Sequence, residues 1–234
     1  MLSAIAIVPS APVLVPELGG AASAEVADLR AEVLAAAALL PPRWIVIGTG
    51  DRDDVLGPTG PNSVGTFAGF GADLRVRLSP RAGERAELPV EFPVCALLAG
   101  WVRGQAQPDA SAQVRVYRSD HDADTVLARG RQLRAEIDEA PDPIGVLVVA
   151  DGANTLTPTA PGGYDPGAAD VQLALDDALA NGDVAALTRL PGQILGRVAF
   201  QVLAGLTEPG PRTAKELYRG APYGVGYFTG VWQP

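Results

Sequence analysis

The stretch I-G-V-L-V-V-A at residues 144–150, followed by D-G-A-N at residues 151–154, decides the fold of this chain. Seven apolar or small residues in a row fit a β-strand that is buried on both faces, as the central strands of parallel sheets are. Shorter apolar runs of the same kind lie at residues 3–8 and 44–47. Because Asp151 follows the longest run directly, it marks the point where the predicted central strand leaves the core.

Segments with helical patterning alternate with these apolar runs. The sequence predicts helices at residues 22–40, 92–102, 124–139, 170–180 and 194–206. It predicts further strands at residues 73–78, 112–117 and 223–232, the first of them exposed at an edge, and a long loop at residues 57–71. Strands buried on both faces and separated by helices indicate a single α/β domain over residues 1–234, with a mostly parallel central sheet and helices on both faces.

The composition limits the functional classes. The 234 residues are 47% hydrophobic and carry a formal net charge of −9, so they can form a large core but offer no basic face to nucleic acid. No run approaches the roughly 20 apolar residues of a membrane span. Residues 5–15 are apolar, but no basic residue precedes them and prolines interrupt them, so an export signal is not expected. We expect a cytoplasmic protein that binds neither nucleic acid nor membrane.

The chain has one cysteine and one histidine, and these counts exclude several kinds of metal site and cross-link. Cys95 alone cannot form an internal disulfide or a thiolate metal cluster, and its apolar neighbours indicate a buried, inert thiol. His121 alone cannot form a multi-histidine metal site, and any serine or cysteine nucleophile would have it as the one histidine base. Because acids flank His121 on both sides, the sequence favours a solvated loop residue.

Polar segments follow three of the predicted strands, at residues 9–12, 50–54 and 151–154. In parallel α/β sheets, ligands bind beyond the carboxyl ends of the strands, so these segments form the candidate site. Their carboxylates could hold Mg²⁺ or Ca²⁺, or act as a general acid and base: Asp51, Asp53, Asp54 and Asp151. They could instead cap turns and accept backbone hydrogen bonds, which the sequence favours for Asp53 and Asp54 and leaves open for Asp151.

Four segments, in their order along the chain, resemble one family of enzymes. They are I-V-P-S-A-P-V-L-V-P-E at residues 7–17, V-V-A-D-G-A-N-T-L-T-P-T-A-P-G-G-Y-D-P at 148–166, N-G-D-x-x-x-L at 181–187 and G-A-P-Y-G-V-G-Y-F at 220–228. They resemble the catalytic subunits of class III extradiol ring-cleavage dioxygenases, whose LigB-type fold is shared by Memo-like proteins. The resemblance covers nearly the whole chain and implies a single LigB-like α/β domain with a cavity at the strand ends.

The chemistry of that family requires two histidines and a glutamate that hold Fe(II), and a further histidine as acid and base. Matched motif by motif, the two histidine ligands fall on Ser10 and Gly50, and the acid–base histidine falls on Asn154. The glutamate ligand falls near Gln193 or Ile194. None of these residues is a good iron ligand. The resemblance therefore implies the fold and the cavity, while the residues at the ligand positions predict no Fe(II) cofactor.

The first hypothesis is a metal-free, non-catalytic relative of these dioxygenases that has lost iron-dependent ring cleavage. Its pocket would bind a small polar or aromatic molecule, or persist as a scaffold. The predicted lining consists of Ser10, Pro12, Gly50, Asp51, Asp151, Asn154 and Tyr164. If any activity remains, Asp51, Asp151 and Asn154 are the candidate catalytic residues.

The second hypothesis is an enzyme that uses these carboxylates in a new way. Asp51 and Asp151 would hold a hard divalent cation, and Ser10 and Asn154 would donate hydrogen bonds. Such a site would support hydrolase or lyase chemistry.

The third hypothesis is an interaction protein, most simply a homo-oligomer. The contact would involve the glycine-rich segment at residues 57–71, or surfaces around Trp101 and Trp232.

Overall fold

Six strands form the central sheet of the computed structural model, which describes residues 1–53, 62–82 and 91–234. In chain order the strands are β1 (Leu2–Val8), β2 (Arg43–Gly50), β3 (Val64–Thr66), β4 (Arg75–Arg77), β5 (Ser111–Arg118), β6 (Ile144–Val149), β7 (Thr213–Gly220) and β8 (Tyr227–Gln233). The sheet order is β5-β2-β6-β1-β8-β7. The strands from β5 to β1 are parallel, and β8 and β7 extend the sheet by antiparallel pairing. Strands β3 and β4 form a separate antiparallel pair.

Helices cover both faces of the sheet. They are α1 (Pro16–Gly19), α2 (Ala27–Ala38), α3 (Val94–Ala106), α4 (Ala123–Asp138), α5 (Ala168–Asn181), α6 (Val184–Leu187) and α7 (Arg197–Thr207). Helices α2 and α3 pack on one face, and α4 to α7 pack on the other. The predicted α/β fold, with a mostly parallel sheet between two layers of helices, is confirmed. The longest helix in the described ranges, α4, has 16 residues, and none of the described helices meets the length and apolarity needed to cross a bilayer.

The two cores follow from the alternation of side chains along the strands. In β1, Ala6 and Val8 pack towards α2 and α3, whereas Ile5 and Ile7 pack towards α4 and α7. All four side chains are at most 1% exposed. A strand that buries both faces in this way has the continuous apolar sequence that predicts it.

Both tryptophans proposed as contact surfaces lie inside these cores. Trp101 in α3 is 6% exposed, and Trp232 in β8 is fully buried, with its indole N–H donating to the Leu179 carbonyl oxygen over 2.8 Å. Their rings fill the two sides of the sheet and expose little surface themselves, and the interaction hypothesis stays a prediction.

Helices α4 and α7 approach each other closely through two glycines. A Cβ atom on Gly130 would lie 2.3 Å from the Val202 carbonyl oxygen, and one on Gly205 would lie 2.3 Å from the Leu127 carbonyl oxygen. Both distances are far inside van der Waals contact with backbone atoms. The layer that covers this face therefore depends on residues without side chains at the crossing point.

Several element boundaries differ from the sequence prediction. Helix α2 begins at Ala27 instead of residue 22, because Gly20–Ser23 forms a 3-10 turn with Gly20 at a φ of 50°. Strand β2 continues to Gly50, three residues further than predicted, because Gly48 leaves room for the buried side chain of Cys95. The predicted burial of Cys95 is confirmed.

The chain from residue 207 to the end also departs from prediction. The last strand begins at Tyr227 instead of residue 223, because a turn closes between Ala221 and Gly224, where φ is 72°. The sequence predicts no strand at β7, whose charged residues Lys215, Glu216 and Arg219 are typical of a solvent-exposed edge strand.

The predicted loop at residues 57–71 is only partly described. Asp54 and residues 57–61 lie outside the described residues. The remainder is not a simple loop, because it contains β3 and a 3-10 turn at Ala68–Phe70. The strand predicted at residues 73–78 is present as β4, but it pairs with β3 and packs on α3, so it is not an edge of the main sheet.

Candidate functional site

Four residues line up across the carboxyl edge of the sheet. We continued the register of each strand pair past its last paired residues. The β2–β6 register then aligns Gly50 with Asp151, and the β6–β1 register aligns Asp151 with Ser10. The β1–β8 register aligns Ser10 with Tyr227. Side-chain alternation places all four on the face that α2 and α3 cover. We call these four residues the strand-end row. The register of the sheet therefore brings Ser10, Gly50 and Asp151 to neighbouring strand ends, and their role as a pocket stays a prediction.

Asp151 is the central residue of the strand-end row. Its Oδ1 accepts a hydrogen bond of 2.7 Å from the Ser10 backbone N–H, and its carbonyl oxygen accepts one of 2.8 Å from Gly196 N–H. In the part of the chain that the structure describes, its carboxyl group has no other hydrogen bond and no ion pair. Burial raises the pKa of Asp151 to about 7, and the Ser10 N–H opposes this only in part. The carboxyl group is thus poised between its neutral and charged forms near neutral pH.

Tyr227 supplies the second polar group of the strand-end row. The residue is 6% exposed, and its hydroxyl makes no hydrogen bond to any described residue. Burial raises the pKa of Tyr227, and the nearby negative charge of Asp151 raises it further. Tyr218 and Tyr223 lie close enough to add to this effect. A phenol that stays protonated therefore lies beside a carboxyl group that titrates, a pairing that the sequence analysis does not identify.

A buried glutamine holds the backbone beside Asp151. Oε1 of Gln172, on α5, accepts a 2.8 Å hydrogen bond from Ala153 N–H, and its Nε2 donates over 2.8 Å to Oδ1 of Asp176. A Cβ atom on either Gly152 or Gly226 would lie 2.0 Å from that same Oε1. Burial raises the pKa of Asp176 to about 6. This amide therefore fixes the segment after β6 against the segment before β8.

The other predicted pocket residues do not contact the Asp151 carboxyl group through hydrogen bonds. Asp51 is exposed just beyond β2, and Pro12 begins a 3-10 turn. The Asn154 side chain lies against Gly162, where a Cβ atom would be 2.4 Å from its Oδ1. Tyr164 is 58% exposed. Their place in the pocket stays a prediction.

His121 is not the freely solvated residue that the sequence favours. Its Nε2 lies 2.9 Å from both carboxylate oxygens of Asp53, and its side chain is only 19% exposed. Asp53 also accepts a 2.8 Å hydrogen bond from Arg118 N–H. Partial burial raises the pKa of Asp53, but the Arg118 N–H and the imidazole outweigh it, and the net shift is downward. The loops after β2 and β5 are thereby joined, and no described hydroxyl or thiol group hydrogen-bonds to His121.

The residues at the expected iron positions do not fit Fe(II). Ser10 offers a hydroxyl, Gly50 offers no side chain, and Asn154 offers an amide held against another loop. Of the two candidates for the glutamate position, Gln193 is an exposed amide and Ile194 is buried against Ala153. A 2-His-1-carboxylate site needs imidazole nitrogens that these side chains lack. Within the described ranges, no three His, Cys, Asp or Glu side chains group closely enough to hold a metal ion.

Comparisons with known proteins support the fold alone. No family model matches the chain, and no curated protein matches it. Among solved structures, the chain is similar to an uncharacterized protein, JW3007, from Escherichia coli K12. The TM-score is 0.51 at 13% sequence identity, and the alignment covers 99% of this chain and 100% of the other.

Proposed function

We propose that this chain binds a small polar or aromatic molecule at the strand-end row without iron. The observation that carries the proposal is the pairing of Asp151 with Tyr227. The carboxyl group has an oxygen without a hydrogen bond, and the phenol has a hydroxyl without one, among the described residues. Neither atom is among the fully buried polar atoms that lack a partner, so both stay open to solvent, and two accessible polar groups side by side at a sheet's ligand-binding edge favour a bound molecule.

The chemistry of the two groups defines the ligand. A carboxylate accepts hydrogen bonds, and a phenol that stays protonated both donates and accepts them. A hydroxyl or amine on the ligand would therefore meet Asp151, and a neighbouring oxygen or nitrogen would meet Tyr227. Tyr218 and Tyr223 add aromatic surface beside Tyr227, which suits a planar ligand.

The sequence resemblance suggests how such a binding protein could have arisen. The segments that resemble class III ring-cleavage dioxygenases keep their order, while the ligand positions hold Ser10, Gly50 and Asn154. A chain that keeps this arrangement without imidazoles would retain binding and lose oxygen chemistry. We therefore place it as a divergent, non-catalytic relative of that family.

Titration of the purified protein with catechol and with phenol, followed by calorimetry and metal analysis, tests the proposal. Both probes carry a ring hydroxyl, so we expect binding without bound iron. Asp151→Asn should weaken binding about tenfold, because a hydrogen bond to a charged group is lost. Asp142→Asn is the matched control and should leave binding unchanged, since Asp142 precedes β6 at the opposite end of that strand and its side chain is 64% exposed. Stoichiometric iron with catechol cleavage, or equal effects of both substitutions, would refute the proposal.

A second candidate function rests on the pKa of Asp151. A carboxyl group with a pKa of about 7 is suited to proton transfer at neutral pH, which would make the site an acid–base catalyst. The cation-dependent version of this function requires Asp51 and Asp151 to share Mg²⁺ or Ca²⁺. A thermal shift on addition of either ion that is lost in Asp51→Asn would support it, whereas no shift would count against it.

A further inference from the structure

A cleft on the α3 side of the molecule collects three arginines, far in sequence from the strand-end row. It lies between β4, α3 and the turn at α1, and its volume is about 260 Å³. Its lining includes Glu17, Arg75, Arg77, Trp101, Arg103 and Gly104. The sequence analysis names Trp101 as a possible contact surface, but it predicts no anion site here.

Arg103 is a buried cation with neutral partners. The residue is 5% exposed, and its guanidinium donates to the carbonyl oxygens of Arg77, Pro108 and Ala110. No carboxylate forms an ion pair with it among the described residues. Burial lowers its pKa, the positive charge of Arg77 lowers it further, and the negative charge of Asp109 opposes this only in part. A buried charge whose carboxylate neighbour is too far away for an ion pair is costly, so this arrangement favours a bound anion.

Arg75 and Arg77 add to this positive charge. They alternate with Val76, which faces α3, so their side chains leave β4 on its other, exposed side, and the charge of Arg77 is close enough to lower the pKa of Arg103. Neither forms an ion pair within residues 1–53, 62–82 and 91–234. Elsewhere in this acidic chain, arginines commonly pair with carboxylates, as Arg43, Arg118, Arg131, Arg134 and Arg219 do.

Gly104 lines the cleft at a position where neither the backbone nor the packing requires a glycine. It lies in the last turns of α3, where glycine is a poor helix former, and a Cβ atom there would meet nothing within 4 Å. By contrast, Gly100 one turn earlier packs against Val76, where a Cβ atom would lie only 3.1 Å from the Cβ atom of the valine. A side chain at residue 104 would therefore enter the cleft, and the glycine leaves that volume empty.

We infer that this cleft binds a small oxyanion, a carboxylate or a phosphate group. Guanidinium groups match both through paired N–H donors, and the buried charge of Arg103 supplies attraction that solvent does not screen. The volume is below the roughly 300 Å³ at which pockets for drug-sized ligands begin, which suits a small anion. Trp101 and Val76 provide apolar contact for a short organic group attached to it.

Titration with inorganic phosphate and with benzoate, each against chloride at equal ionic strength, tests the inference by calorimetry. We expect saturable one-to-one binding of at least one probe, and the preferred probe distinguishes a phosphate source from a carboxylate source. Arg77→Gln should weaken binding at least about tenfold. Arg212→Gln, at an exposed arginine remote from the cleft, is the matched control and should bind as the wild type does.

Two further variants separate binding from folding. Gly104→Leu should fill the cleft and abolish binding while the thermal midpoint without ligand is retained, because space is available for the side chain. Glu17→Gln should tighten binding, because it removes the carboxylate that lines the cleft. The inference is wrong if neither probe binds more tightly than chloride, or if Gly104→Leu and Arg77→Gln bind as the control does.

Discussion

Replacing Asp151 with asparagine measures the cost of the buried carboxylate directly. Asparagine keeps the size of the side chain and an oxygen that can accept the 2.7 Å hydrogen bond from Ser10 N–H. The pKa of Asp151 rises from 3.8 to about 7 on folding, and each pKa unit corresponds to about 1.4 kcal/mol. The charged carboxylate should therefore lower the free energy of unfolding by at most about 4 kcal/mol once the pH exceeds 7.

The sign of the effect depends on pH. Between the unfolded pKa of 3.8 and the folded pKa of about 7, the folded chain holds a proton that the unfolded chain has lost. The stability of the wild type should therefore fall as the pH rises through this window, and that part of the fall should be absent in Asp151→Asn. Asp176, whose pKa is also raised by burial, titrates in both proteins and cancels in the comparison.

Urea unfolding followed by circular dichroism, from about pH 4 to about pH 8, measures this difference. We expect Asp151→Asn to match the wild type at the acid end and to exceed it in stability at the alkaline end. Asp51→Asn, at an exposed residue beyond the neighbouring strand, should differ from the wild type by less than about 0.5 kcal/mol throughout. A pH-independent effect of Asp151→Asn, or a loss of stability at the alkaline end, would refute the reasoning.

Three further substitutions test other parts of the fold, each by chemical denaturation. Gly205→Ala should lower the free energy of unfolding by about 2 kcal/mol or more because its Cβ atom would meet the backbone of α4, whereas Gly192→Ala, in open space, should have little effect. Thr229→Val should raise stability by about 1 kcal/mol, because it removes a fully buried hydroxyl that has no hydrogen-bond partner among the described residues; a loss of stability would contradict this. Asp53→Asn should lower the free energy of unfolding by about 1 kcal/mol or less at neutral pH, because Asp53 accepts a hydrogen bond from Arg118 N–H. This difference should vanish as the pH falls below 3.8, because the carboxyl group then protonates first in the unfolded chain and next in the folded one. A cost that persists in acid would show that shape, not charge, matters there.

The sequence predicts the central elements because burial on both faces leaves a continuous apolar run. Strand β6 and the position of Asp151 follow from such a run, and the parallel register then brings Ser10 to Asp151. Strand β7 follows from no such run, because an edge strand can carry Lys215 and Arg219 on its exposed positions. The pattern of burial, and not strand propensity, separates the two cases.

The parts of the two sites that the sequence does not predict come from distant segments. Tyr227 lies beside Asp151 only because β8 pairs antiparallel with β1, a register that local patterns do not define. Arg77 and Arg103 meet because β4 packs on α3. The alternation R-V-R at residues 75–77 is a usable signal for two cations on one side, but nothing local places a third beside them.

The amide of Gln172 couples Gly152 and Gly226, which are 74 residues apart in the sequence. A methyl group at either position needs the same space, so a shorter residue at 172 would relieve both clashes at once. Mutational tolerance at these three sites is therefore interdependent: alanine at either glycine requires the glutamine amide to move or to be replaced, and the Ala153 N–H then loses its acceptor. Homologous chains should consequently exchange this trio together, or keep all of it.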